Sequence, residues 1–402
     1  MKLYLSIIAF LAVLTVQAQV TNIDSLTNEP LNSVNNIIKG NSGKNITVGG
    51  YAQIDYNQPV GGSVNNNGVL DVHRFVLFMG YKFNDRTHFV TELEFEHVTE
   101  VYVEQAFINY RFNPTFNFRA GLMLVPMGII NEYHEPTTFN GVERPALDSK
   151  IVPTTWRELG LGLSGNIQGA SLKYQLYMMN GFNGFDDGGG KFRGSDGFRK
   201  GRQKGAKSYI STPTLSTKVD YYGLPGLKIG LAGYFGKSQS KLYDGLHEGD
   251  DAAVAQADSS IVNIAMIGLD ARYQLGGFTA RAQLINTTIG NTDQYNGLTG
   301  RDLGSRMFGY YLEAGYDILR LMHINNGKQL TLFVRYEKYD THASVEENII
   351  ANAAYDRTDV TMGATLKLAP GAALKVDYQI LQNGESATDP TNRFNAGVGI
   401  WF

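Results

Sequence analysis

From about Asn45 to the end, the chain reads as segments of roughly 10 to 14 residues in which apolar and polar side chains alternate, separated by turn residues. In LDVHRFVLFMGYKF (70–83), Phe75, Leu77, Met79, Tyr81 and Phe83 share one face while Arg74 and Lys82 lie on the other. In THFVTELEFEHV (87–98), Phe89, Leu93 and Phe95 stand opposite Glu92, Glu94 and Glu96. A period of two describes strands with one apolar and one wet face. About 16 such segments can be traced, the last of them over 391–402 and ending in RFNAGVGIWF.

The links between these segments carry a second pattern. Short links follow the even-numbered strands: Asn84-Asp85, 113–115, QGA (168–170), GLPG (223–226), Gly276-Gly277 and APGA (369–372). Longer ones follow the odd-numbered strands: 57–69, 126–156, 181–211, 238–260, 291–305, 341–355 and 383–390. Two links break the rule, 99–100 being short for its side and RLMHINNG (320–327) long for its own. Alternation of short turns with long loops over an even strand count predicts an all-β fold, a transmembrane antiparallel up-and-down β-barrel of about 16 strands. Its turns face the periplasm and its loops face outward, and closure removes the sheet edges. A soluble secreted β-sandwich binding protein would also show many short strands, but it gives no reason for the loop asymmetry.

Composition agrees. The chain has no cysteine, so nothing is stapled, and beyond the first residues no apolar stretch approaches the roughly 18 residues of a membrane helix. Its 23 Tyr and 21 Phe are numerous for a polar chain and suit interfacial girdles. The start, MKLYLSIIAFLAVLTVQA, combines one Lys, an apolar run and small residues before a cleavage point, and predicts a signal peptide over 1–18. Residues 19–44 read as a polar periplasmic leader without a clear fold, and 45–402 as the barrel in the lipid bilayer of the outer membrane. A net charge of −3 argues against nucleic acid as partner.

The block RAGLMLVPMGIINEYHEPTTFNGVERPALDSKIVPTTWRELGLGLSGNI (119–167) resembles the strand, long loop and strand of outer-membrane porins of the phosphate-selective porin O and P family, in their Bacteroidetes form. The resemblance implies a 16-stranded homotrimer, a long loop folded into the lumen as a constriction, and passive diffusion of small hydrophilic solutes, including anions such as phosphate. The terminal Phe402 is similar to the signal through which barrel-assembly machinery recognises its clients. That family's preference for phosphate rests on a stacked arginine ladder, which cannot be placed residue by residue here.

A barrel of this size leaves an aqueous lumen, so the inner face selects what passes. Pore-lining candidates on the strands are Arg74, Glu92, Glu94, Glu96, Arg119, Arg272, Arg281 and Arg335. The 126–156 loop, stiffened by Pro126, Pro136, Pro145 and Pro153, adds Glu132, His134, Glu135, Glu143 and Arg144 as constriction candidates. The 181–211 loop carries Lys191, Arg193, Arg199, Lys200, Arg202, Lys204 and Lys207, an anion-collecting vestibule whose spaced glycines predict mobility. HEPTT is not H-E-x-x-H, so no metal or cofactor is expected. A barrel enzyme of phospholipase or protease type would need a Ser/His or Asp/His arrangement, and the seven histidines sit in no such motif.

Overall fold

The computed structural model describes residues 32–39, 45–61, 66–113, 115–247, 249–324, 327–347, 349–385 and 389–402. The expected signal peptide lies outside them.

Sixteen antiparallel strands close into one barrel. They are β1 (Ile46–Val60), β2 (Val69–Lys82), β3 (Thr87–Glu96), β4 (Glu100–Asn113), β5 (Phe116–Leu124), β6 (Arg157–Ile167), β7 (Leu172–Met179), β10 (Thr214–Leu224), β11 (Leu227–Lys237), β13 (Asn263–Leu275), β14 (Phe278–Gly290), β15 (Arg306–Asp317), β16 (Gln329–Ser344), β17 (Asp356–Ala369), β18 (Ala372–Asn383) and β19 (Thr391–Trp401). Three short strands, β8 (Asn183–Asp186), β9 (Gly189–Gly190) and β12 (Gln239–Ser240), form a separate sheet within the long loops. The 181–211 loop is therefore structured where its glycines suggested mobility, because main-chain pairing and the rings of Phe182, Phe192 and Phe198 hold it together.

The barrel closes where β1 pairs with β19, from Tyr51 opposite Trp401 to Val60 opposite Asn392. Gly50 and Phe402 exchange main-chain hydrogen bonds at 2.9 Å in both directions. The Phe402 ring lies against Gly50, where a Cβ would stand 2.7 Å from it. Side-chain parity follows the sequence: Val48, Leu161, Leu231 and Leu312 stand exposed on the outer face, as lipid contact requires, while Arg74, Glu92, Lys218 and Arg335 are buried within the lumen. At the turn ends of the strands, Tyr81 meets Phe83, and Tyr110, Phe112 and Phe116 pack in series at 4.9 and 5.2 Å, as an interfacial aromatic belt does.

The two exceptional links have local causes. At 97–99, His97 and Val98 both take positive φ (52° and 66°), the backbone of a tight hairpin of the primed type, built without the usual glycine. The 320–327 region includes a short helical turn, 318–321, whose entry is capped by Asp317 accepting from the Leu319 N–H.

Part of the expected leader is folded. Helix α1 (Ser33–Lys39) packs inside the barrel, with Ile37 against Gly80 of β2, and Asn32 donates to the Glu132 carbonyl at 3.2 Å. Val34 and Ile37 are its buried apolar side chains, with Ile38 partly buried beside them. Within the expected 19–44 leader, residues 33–39 form this helix in the lumen.

Candidate functional site: the loop-divided lumen

The segment between β5 and β6 turns inward rather than out. Its apolar residues Val125, Met127, Ile129, Ile130, Phe139, Val142, Leu147, Ile151 and Val152 are buried, and it carries a short helix α2 (Leu147–Lys150). These nine apolar side chains, buried together with Tyr133 and Trp156 in the 125–156 link, are what an external loop would not bury, and they provide the driving force for docking. Gly128 and Gly141 take positive φ (72° and 75°) where the loop passes close to the wall, and a Cβ there would meet Gln283 at 2.9 Å and Phe333 at 3.0 Å. Only glycine combines that conformation with that approach.

Wall side chains from all round the barrel then bond the loop main chain. Gln283 accepts from the Ile129 N–H at 2.7 Å, Asp377 from Val142 at 2.6 Å and Glu337 from Leu147 at 3.3 Å. Lys218 donates to the Gly128 carbonyl at 2.8 Å, Lys375 to Phe139 at 2.9 Å, and Arg335 to Glu143 at 3.1 Å; Arg281 donates to Thr138. The wall charges also pair among themselves, Arg335 with Glu337 at 2.9 Å and Glu313 at 3.4 Å and Lys218 with Asp270 at 3.2 Å, and Lys218 reaches the loop acid Glu132 at 2.8 Å. Much of the lumen charge therefore fixes the loop in place.

The loop leaves a cavity on each side. The inner one, 410 Å³, is bounded by α1 residues Val34, Asn35 and Ile38 and by Arg111, Arg119, Lys173, Tyr177 and Lys228. Arg119 is held there by Asn109 at 3.0 Å and Tyr177 at 3.2 Å. The outer one, 260 Å³, is lined by six cationic side chains, Arg74, Arg144, Arg157, Arg199, Arg202 and Lys204, against the four acids Glu94, Glu96, Glu143 and Asp148.

How those cations are held decides the electrostatics. Arg74 faces Glu94 at 3.6 Å. Arg144 donates to the His134 carbonyl at 3.2 Å, Arg199 to Thr154 at 2.7 Å, and Arg202 to the carbonyls of Arg199, Pro153 and Thr155 at 3.1 to 3.2 Å. A carbonyl oxygen satisfies a guanidinium N–H without cancelling its charge, so these three positions remain a source of positive potential. Burial, then the neighbouring Arg74, pushes Arg144 down to about 10; burial, then Arg199 and Arg157, pushes Arg202 down to about 9. Both remain cationic at neutral pH. Asp148 accepts from Gln283 at 2.8 Å, and burial drives its carboxyl up to about 7.

The sequence candidates thus divide. Arg74, Glu94, Glu96, Glu143 and Arg144 line the outer cavity, and Arg119 and Glu132 the inner one. Arg281 and Arg335 are loop anchors, Arg272 stacks over Tyr133 at 4.4 Å, and Glu135 accepts from the Ser33 N–H at 3.0 Å, tying α1 to the loop. Glu92 and His134 are buried in the join between loop and wall. Of the supposed vestibule, only Arg199, Arg202 and Lys204 reach the cavity. Lys191 pairs with Asp186 at 2.6 Å, Arg193 bridges main chain to main chain with Gly197, and Lys200 and Lys207 are exposed. The single basic stretch is split because the loop folds back on its own aromatic cluster.

Two lumen residues escape a parity reading. Glu104 and Gln105 are both buried although adjacent, because a bulge opposite Glu92-Leu93 makes Gln105 pair with Glu92 and Val103 with Leu93. Arg157, at the first position of β6, also lines the outer cavity, although it is not among the sequence candidates.

A closed 16-stranded barrel with a lipid-facing apolar belt and a charged lumen divided by a folded-in loop is an outer-membrane channel. Residues 46–244 match the family model described as "Phosphate-selective porin O and P", and the chain belongs to that family. A protein of Aquifex aeolicus (strain VF5), described as uncharacterized, is 30% identical over 353 residues, which cover 83% of this chain and 75% of that protein. Among solved structures, the outer membrane channel DcaP of Acinetobacter baumannii has a TM-score of 0.56 at 11% identity, covering 89% of this chain and 97% of that one. The anion-selective porin from Comamonas acidovorans has a TM-score of 0.53 at 13% identity, over 89% and 99%. The trimer form of OmpT, an outer membrane protein of Vibrio cholerae, has 0.51 at 10% identity, over 89% and 99%. At these identities the likeness is one of fold. The protein is a porin of the outer membrane, a channel for small hydrophilic solutes.

Proposed function

We propose that this porin favours anions, with phosphate-like solutes drawn to the outer cavity and handed past the constriction loop. The observation that carries this reading is the set Arg144, Arg199 and Arg202, held by carbonyl oxygens rather than carboxylates at one cavity wall, with Arg157 and Lys204 beside them. Guanidinium groups suit phosphate because their planar fork matches two of its oxygens. Below the loop, Arg119, Arg111, Lys173 and Lys228 continue a basic lining toward the periplasm. The Comamonas acidovorans barrel that this one resembles is itself described as anion-selective.

Reversal potential across a salt gradient in planar bilayers tests the reading. The wild type is expected to prefer the anion, and Arg199→Gln with Arg202→Gln should move the reversal potential toward or past zero. A cation-selective wild type would overturn it. Lys200→Gln with Lys207→Gln, both exposed away from the cavity, should leave the potential unmoved. The same reading includes a cleaved signal peptide over 1–18, recognition of the Phe402 strand by barrel-assembly machinery, and assembly as a homotrimer, the similar Vibrio cholerae barrel being described in a trimer form.

A further inference from the structure

Diffusion makes no use of a group of side chains buried where the loop meets the wall. His134 of the loop, Glu92 of β3 and Glu104 of β4 are each 0% exposed, and each offers a ligand atom within 4.8 Å of the other two. His134 Nδ1 lies 3.2 Å from the Asn131 carbonyl, which can only accept, so Nδ1 carries the proton and in the neutral ring Nε2 presents a lone pair. Nε2 is 2.8 Å from the Tyr51 hydroxyl and 3.2 Å from Glu104 Oε2. The Tyr51 hydroxyl donates to Glu104 Oε2 at 3.1 Å, and its single proton cannot also serve Nε2, so Nε2 still faces an anionic oxygen with no positive centre between them.

A second proton on His134 would serve the Tyr51 oxygen and Glu104 Oε2 but reach neither of the remaining carboxylate oxygens. Glu104 Oε1, 3.9 Å from Arg157 Nη1, and Glu92 Oε1 would still lack a hydrogen-bond donor, although both carboxylates are fully buried. Buried carboxylate oxygens require pairing or a cation. We propose that this is a divalent metal site, holding a borderline cation such as Zn²⁺ through His134 Nε2 and one oxygen each of Glu92 and Glu104.

One imidazole and two carboxylates suit such an ion and match its charge. The outer hydrogen bonds that orient metal ligands are in place: Nδ1–H to the Asn131 carbonyl, and Gln105 Nε2 to Glu92 Oε2 at 2.7 Å. Arg74 is already matched to Glu94, so an added dication meets two buried carboxylates that each keep one oxygen without a hydrogen-bond donor. Glu94 and Arg157 line the outer cavity and Gln105 the inner one, which places the site between the two compartments. The ion would staple the constriction loop to β3 and β4. The histidine of HEPTT is thus a ligand whose partners come from the wall rather than from Glu132 or Glu135.

The test uses the purified, folded full-length barrel, stripped with a chelator and then titrated with Zn²⁺. One equivalent per chain is expected, with a higher melting temperature in Zn²⁺ and binding at least about 100-fold weaker in Glu104→Gln and His134→Gln. Retention below about a tenth of an equivalent by the folded wild type, or stoichiometric binding that survives both substitutions, would overturn the site. If the variants do not migrate as folded barrels, zinc-edge absorption on the wild type decides. One imidazole among oxygen ligands upholds the site, and an all-oxygen shell overturns it.

Discussion

At the scale of single residues, the lumen shows how burial turns charges into structure. Asp148 sits in the loop with one oxygen on Gln283 and the other unpartnered, and burial raises its carboxyl from 3.8 to about 7. The folded state therefore binds this proton more tightly than the unfolded chain does. Its stabilising contribution is fully present below about pH 4 and is lost as pH rises through about 7. Asp148→Asn keeps the shape and removes the titration, so melting at pH 8 should rise by about 2 °C while melting at pH 4 stays level, read by a thermal scan in detergent. Arg335 gives the opposite case: it is buried between Glu313 and Glu337, and Arg335→Met leaves both acids without the cation that pairs them. A cost of about 3–5 kcal/mol is expected from denaturant titration.

At the scale of elements, α1 and the loop act together. Helix α1 is joined to the loop through the Ser33 N–H on Glu135 and Asn32 on the Glu132 carbonyl, and it forms a wall of the inner cavity. Removing residues 32–39 should raise single-channel conductance without changing the sign of selectivity, since the cationic cavity lies on the other side of the loop. Ile37→Ala should loosen the same docking by about 2 kcal/mol, seen as faster main-chain exchange over 33–39. The bulge at Glu104 makes a related point: one extra residue in β4 brings a carboxylate into the lumen that strict alternation would have sent elsewhere.

At the scale of the whole molecule, stability depends on closure. Hydrogen bonds between Gly50 and Phe402 complete the β1–β19 seam, and the Phe402 ring covers Gly50 beside Phe75 at 6.5 Å. Phe402→Ser should lower the yield of heat-modifiable, folded barrel severalfold while molecules that do assemble conduct normally. Normal assembly would refute a role for that ring. Discrete ohmic steps are expected from the folded wild type, as a passive channel requires.

The barrel was legible in the order of the residues alone. Period-two alternation, the order of short and long links and the strand count are local properties, since the alternation of a strand and the chemistry of a turn are decided within a few residues. The same order sets which wall side chains point inward, from Arg74 through Arg335, wherever no bulge intervenes. What those side chains do became visible once the chain was folded. The inward course of 126–156, the docking of α1, the division of 181–207 between cavity and surface, and the meeting of His134 with Glu92 and Glu104 all depend on contacts between residues far apart in the chain. Burial then decides whether a charge anchors a loop, awaits a cation or attracts an anion, and burial exists only once the barrel has closed.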